Sequence, residues 1–139
     1  MATHMNAKLR NPLLAAVAVA LLPLVFVALQ GLLARYHLAS ILTLRHVLST
    51  SAATASVIYG YGIVGSALTA ALIMVPLGLW LTWRPWLIGT AVSMLAVLLL
   101  MTTLQIPAPN NYVEYLSLIA FSALAAEFAS RTKRTRRPP

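Results

Sequence analysis

The sequence predicts an all-α fold: a polytopic membrane protein of four transmembrane helices in a compact bundle, with both termini cytoplasmic. Three observations predict it. Four apolar stretches fill most of the 139 residues, and each is long enough to cross a bilayer. Hydrophobic residues make up 60% of the chain and charged ones only 9%, against about a quarter charged in a soluble domain. The cations also segregate to one side of the four crossings.

A helix rises about 1.5 Å per residue, so about 20 apolar residues span a hydrocarbon core about 30 Å thick. The stretches lack the alternation of barrel strands, and lipid leaves no backbone amide a water partner, so helices are the expected solution. Residues 1–12 form a cytoplasmic N-terminal segment, in which Met1 to His4 ahead of Met5 resemble a cloning remnant. Lys8 and Arg10 then precede an apolar run in the manner of a secretory signal. That run exceeds the usual length of about 7 to 15 residues and offers no small-x-small cleavage site, so residues 13–34 are read as an uncleaved first span.

The stretch 36–56 carries Arg45 and His46 at its centre, among Ser40, Thr43, Ser49, Thr50, Ser51 and Thr54. A charge at a helix centre costs about 2.5 to 3.5 kcal/mol on insertion, which argues against a fifth span. The stretch is expected on the outer face, as a loop or as a short interfacial helix, for which Leu38, Ile41, Leu42 and Arg45 have the spacing.

Residues 57–80 form the second span. Gly62, Ser66 and Ala70 recur at four-residue spacing with Gly65 beside them, and Ser122 and Ala126 repeat the pattern in the fourth span. Small residues let membrane helices approach closely, so these mark a packing face, within the chain or toward a partner. Pro23 and Pro76 lie inside spans, where each removes a backbone hydrogen bond and can kink the helix. Arg84 and Pro85 make a tight turn into the third span, 86–106, since proline suits a first helical turn. Pro107-Ala-Pro-Asn-Asn111 breaks the chain again before the fourth span, 112–129. The helical domain thus covers 13–130, and 131–139 is a basic cytoplasmic tail.

Four crossings place both ends of the domain on one side. That side collects Lys8, Arg10, Arg84, Arg131, Lys133, Arg134, Arg136 and Arg137, leaving only Arg35 and Arg45 opposite. Lys and Arg of short loops stay cytoplasmic, which sets the orientation. The aromatic residues agree independently. Trp80, Trp83 and Trp86 surround the inner turn, whereas Tyr36, Tyr59, Tyr61, Tyr112 and Tyr115 fall at the outer face, as interfacial rings do.

The chemistry on offer is narrow. With no cysteine, thiolate ligation, disulfides and cysteine nucleophiles are excluded. The carboxylates are Glu114 and Glu127, about 20 Å apart on one helix, and cannot act as a pair. Glu127 stands four residues before Arg131, the favourable order for a helical ion pair. Glu114 shares the outer face with Arg35, His37, Arg45 and His46. This candidate polar cluster suits a headgroup, a quinone oxygen or a proton, with a plain interfacial salt bridge as the alternative. His37 and His46 do not have the i, i+4 spacing of a helical metal site, so no metal is expected. Gln30 and Gln105 read as interhelical hydrogen bonds. Arg131, Lys133, Arg134, Arg136 and Arg137 are expected to contact anionic lipid, with no nucleic acid invoked.

Gly31 and Arg35 after the first span, Gly78 and Arg84 at the second turn, Met94 with Ala96 in the third, and Asn111 with Glu114 opening the fourth form a recognisable layout. Over residues 13–129 it resembles the DoxX-like family of small four-helix bacterial membrane proteins. The chain departs from that family in having Tyr and Gly, not an acidic residue, at the start of the second helix, and a basic tail in place of a Gly-containing ending. The resemblance implies an accessory or quinone-linked subunit of a membrane redox system and transfers no catalytic residue. The expected role is therefore a non-catalytic subunit or assembly partner of a larger complex in the bacterial inner membrane. Its partners would be lipids and other membrane subunits or further copies of itself; its cofactor is unassigned. The alternatives are a small oligomeric transporter or channel, whose first three spans would lack a coupling carboxylate, and a phage-type hole-forming protein.

Overall fold

A computed structural model describes residues 7–103 and 112–135. They form four helices: α1 (Ala7–Leu44), α2 (Thr50–Trp80), α3 (Pro85–Thr103) and α4 (Tyr112–Thr135). Each is long and apolar enough to cross a membrane. Pro23 and Pro76 lie within continuous helices. The expected Pro107–Asn111 break, Gln105, Met1 to His4, Arg136 and Arg137 lie outside the described residues.

Besides the start of α1, at Ala7 and not at 13, two boundaries differ from expectation. The short interfacial helix or loop over 36–56 does not form as a separate element. Instead α1 continues to Leu44, residues 45–49 turn, and α2 begins at Thr50. The physical reason is local. No glycine or proline interrupts the chain between Gly31 and Gly60, and the hydroxyls that look like loop chemistry serve the helices. Thr43 and Thr54 donate to the carbonyls of Ala39 and Thr50, four residues back, at 2.9 and 2.8 Å. Ser49 caps α2 by accepting from the Ala52 amide. The second difference is in α4, which runs to Thr135, so Arg131, Lys133 and Arg134 belong to its last turns and not to a tail. Cations there complement the negative end of the helix dipole.

Contacts run from α1 to α2, from α2 to α4, from α4 to α3 and from α3 back to α1, with α2 and α4 meeting most extensively. Leu22, Met74, Leu100 and Leu118, one from each helix, are fully buried where they meet. The Asn11 amide donates to the Thr82 hydroxyl at 3.0 Å, and Lys133 Nζ donates to the Leu79 carbonyl at 2.8 Å. The start of α1, the α2–α3 turn and the end of α4 therefore share one end of the molecule. In that turn Arg84 takes φ 30°, and its carbonyl accepts from the Leu87 and Ile88 amides at 3.0 and 3.2 Å at the start of α3.

Only 22% to 44% of the most apolar window of each helix is buried, so the outward surface is itself apolar. Close approach is made by small residues. A Cβ on Gly78 of α2 would lie 2.6 Å from the Ala126 carbonyl oxygen, and one on Gly89 of α3 would lie 2.7 Å from that of Ser122. Backbone cannot step aside as a side chain can. Gly78→Ala and Gly89→Ala should each lower stability in detergent by about 1 to 3 kcal/mol. Gly31→Ala and Gly60→Ala, where a Cβ meets nothing within 4 Å, should cost nothing. Thermal unfolding of the four variants checks this, and equal effects at all four sites would contradict it.

Candidate functional site

The residues of the sequence-derived packing face, Gly62, Gly65, Ser66, Ala70, Ser122 and Ala126, are all buried. On α2 they form a notch that receives two polar side chains. The Glu114 side chain lies against Gly62, where a Cβ would come within 2.5 Å of its Cγ and 2.6 Å of Oε1. The Gln30 carboxamide lies against Gly65 in the same manner, at 2.7 Å for Nε2. Glycine at both positions is what admits a carboxylate from α4 and an amide from α1 to the same helix surface.

Hydrogen bonds tie the notch together. Gln30 Nε2 donates to the Gly62 carbonyl at 3.2 Å, the interhelical bond expected of it. The buried Ser66 hydroxyl lies 2.9 Å from both the Gly62 carbonyl of its own helix and the Glu114 carbonyl of α4. Its single proton is shared between two acceptors. Phe26 and Tyr115, both buried, pack beside this level with ring centroids 6.4 Å apart. Toward the α1–α2 turn, the His37 and Tyr61 rings stack at 4.9 Å, and the Tyr61 hydroxyl bonds Ser40 at 2.8 Å. His37 Nε2 is buried and, among the described residues, has no hydrogen-bond partner.

The expected outer-face cluster is only partly assembled. His37 packs on Tyr61 between α1 and α2 and Glu114 lies on α2 at Gly62, while Arg35, Arg45 and His46 are exposed. Among the described residues no cation lies within ion-pair distance of Glu114. The pair that forms is Arg131 Nε to Glu127 Oε1 at 3.0 Å. Also among the described residues, no three His, Asp, Glu or Cys side chains gather in a set able to hold a metal. Gln30, Gly62, Ser66 and Glu114 together offer oxygen acceptors in excess of donors: a carboxylate, an amide oxygen and two carbonyls against one amide and one hydroxyl. Their chemistry is acceptance of a proton or of a donor group, in apolar surroundings.

Spacing alone missed Gly78 and Gly89, although the small residues Ser122, Ala126 and Ala129 on α4 imply partners of matching size. The His37–Tyr61–Ser40 grouping joins two helices and leaves no mark in local spacing. No protein family, curated protein or solved structure matches the chain.

The Glu114 contact at Gly62 is with a side chain, which can swing away. Gly62→Ala should therefore leave stability within about 1 kcal/mol of the parent yet push the carboxylate out of the notch. Labelling of Glu114 by a water-soluble carbodiimide, read by peptide mass spectrometry, should rise in that variant; unchanged labelling would contradict the notch geometry.

Proposed function

We propose that the protein is a multi-pass protein of the bacterial inner membrane, a compact four-helix bundle with both termini cytoplasmic. Its role in this reading is that of a non-catalytic subunit or assembly partner of a larger membrane complex. Several features support the membrane setting. Arg10, Arg84, Arg131, Lys133 and Arg134 belong to the end of the molecule marked by the Asn11–Thr82 and Lys133–Leu79 contacts, the side that cations prefer. Trp80, Trp83 and Trp86 are exposed at that end, and Tyr36 and Tyr59 are exposed toward the other. From Tyr61 to Trp80 α2 rises about 28 Å, close to a hydrocarbon thickness of about 30 Å.

The observation that carries the partner role is the overhang of the α1–α2 hairpin. Glu114, near the start of α4, lies at the level of Gly62, and α2 begins at Thr50. About 18 Å of paired helix therefore extends past the level of Glu114. The overhang exposes Leu38, Leu42, Val47 and Leu48, with Val47 82% accessible. A groove of about 560 Å³ between its two helices is lined by Ala39, Thr43, Leu44, Val57 and Gly60 among others. By the tyrosine-to-tryptophan ruler this hairpin stands outside the hydrocarbon, where apolar side chains are best covered by another protein. The resemblance to the DoxX-like layout would make that complex a redox assembly and this chain an accessory or quinone-linked subunit of it.

A second reading, a small oligomeric transporter, is favoured by one feature, the Glu114 carboxylate without a cation among the described residues. Intramembrane carboxylates of that kind couple ions to transport.

Mild extraction followed by native mass spectrometry tests the first reading. The chain should carry a defined partner, and Leu42→Lys with Val47→Lys should release it while the helical content stays that of the parent. A monodisperse monomer from the parent would contradict the subunit role. Proteoliposome flux abolished in Glu114→Gln would favour the transporter instead.

A further inference from the structure

A pocket of about 190 Å³ at the cation-rich end is lined by Leu81, Thr82, Ser130, Lys133 and Arg134. Its hydrogen-bonding balance is the reverse of the Glu114 notch. Thr82 is already committed, since its hydroxyl and amide bond the Asn11 side chain at 3.0 to 3.4 Å. Lys133 spends one N–H on the Leu79 carbonyl at 2.8 Å, which leaves two. The Arg134 guanidinium, with five N–H donors, and the Ser130 hydroxyl make no side-chain hydrogen bond among the described residues. The nearby carboxylate, Glu127, is taken by Arg131 at 3.0 Å. Among the described residues the pocket thus presents a surplus of donors and two positive charges with no free side-chain carboxylate to answer them. Its complement is an anion with several acceptor oxygens, the geometry of a phosphate.

The surroundings select the source of that phosphate. Trp80 and Trp83, which flank Leu81 and Thr82 in the chain, are 60% and 56% exposed, and Leu79 is exposed as well. An apolar outward surface borders the charged pocket directly. A free ion would use the donors and leave that surface bare, whereas a lipid would use both. Basic pockets between membrane helices on the cytoplasmic side hold headgroups in this way. We propose that this pocket binds the phosphate of an anionic phospholipid of the cytoplasmic leaflet, with the lipid chains running along the surface beside Leu79 and Trp80. The proposal rests on the membrane reading above.

The three tryptophans of the chain, Trp80, Trp83 and Trp86, all stand near the pocket in sequence and make it self-reporting. The full chain is reconstituted in phosphatidylcholine vesicles, and phosphatidylglycerol with brominated chains is titrated in while tryptophan fluorescence is read. Brominated phosphatidylglycerol should quench at a lower mole fraction than brominated phosphatidylcholine. Lys133→Ala with Arg134→Ala should weaken that preference by about tenfold. Arg136→Ala with Arg137→Ala removes the same charge further along the chain and should keep most of the preference, with helical content by circular dichroism matched across variants. No preference in the parent, or equal loss in both double variants, would overturn the site in favour of diffuse attraction. Relief of quenching by millimolar inorganic phosphate would assign the pocket to the free ion and overturn the lipid. Absence of quenching by brominated phosphatidylcholine as well would count against the membrane reading itself.

Discussion

Hydrocarbon offers no hydrogen bonds, so each backbone N–H and C=O placed in it must find a partner along the same helix. In the proposed membrane setting, the four long apolar helices answer to that constraint. It makes long uninterrupted helices the natural form of the apolar stretches, and it also removes the usual reason for helices to associate. Apolar side chains gain little by leaving lipid for one another, so association depends on fit and on shared polar bonds. Gly78 and Gly89 bring α2 and α3 onto the α4 backbone. The glycines at 62 and 65 bring Glu114 and Gln30 onto α2. Helix contact is achieved by removing side chains, not by enlarging a core.

The same constraint explains how hydroxyls are tolerated inside. Thr69 and Ser93 are fully buried, and each donates to a carbonyl four residues back, at 2.7 and 2.8 Å. Such bonds are local and travel with the helix. Ser66 also reaches across, to the Glu114 carbonyl, and it does so at the level where α1, α2 and α4 converge. The two polar ends of the molecule then differ in kind. One concentrates acceptors around Glu114, and the other concentrates donors around Lys133 and Arg134. A chain with net charge +8 thereby carries one place suited to a cation or proton and one suited to an anion.

Much of this was legible from residues alone. Four apolar stretches of sufficient length, the cation asymmetry and the tryptophan and tyrosine positions are properties of single segments, and the structure has four helices over those segments. The small-residue face of α2 was legible for the same reason, as a four-residue period on one helix. The run from Tyr36 to Ser56 was harder, because serine and threonine favour turns when their side chains compete with the backbone and caps when they start a helix. Composition does not separate the two. Thr43, Ser49 and Thr54 turned out to serve helix ends and interiors, joining α1 and α2 into a long hairpin. The surroundings of Glu114 were least legible, since Gln30, Gly62 and Ser66 meet it only after three helices have packed.

Because the chain has no cysteine, single cysteines introduced at His46, Val64, Leu72 and Thr135 report the surrounding medium one position at a time. Labelling of intact cells with a membrane-impermeant maleimide tests most directly whether lipid is that medium. The account predicts labelling at position 46 from outside, labelling at 135 only after permeabilisation, and none at 64 or 72, which are exposed in the structure but would face hydrocarbon. Ready labelling at 64 and 72 would mean that water, not lipid, bathes α2, and would contradict it.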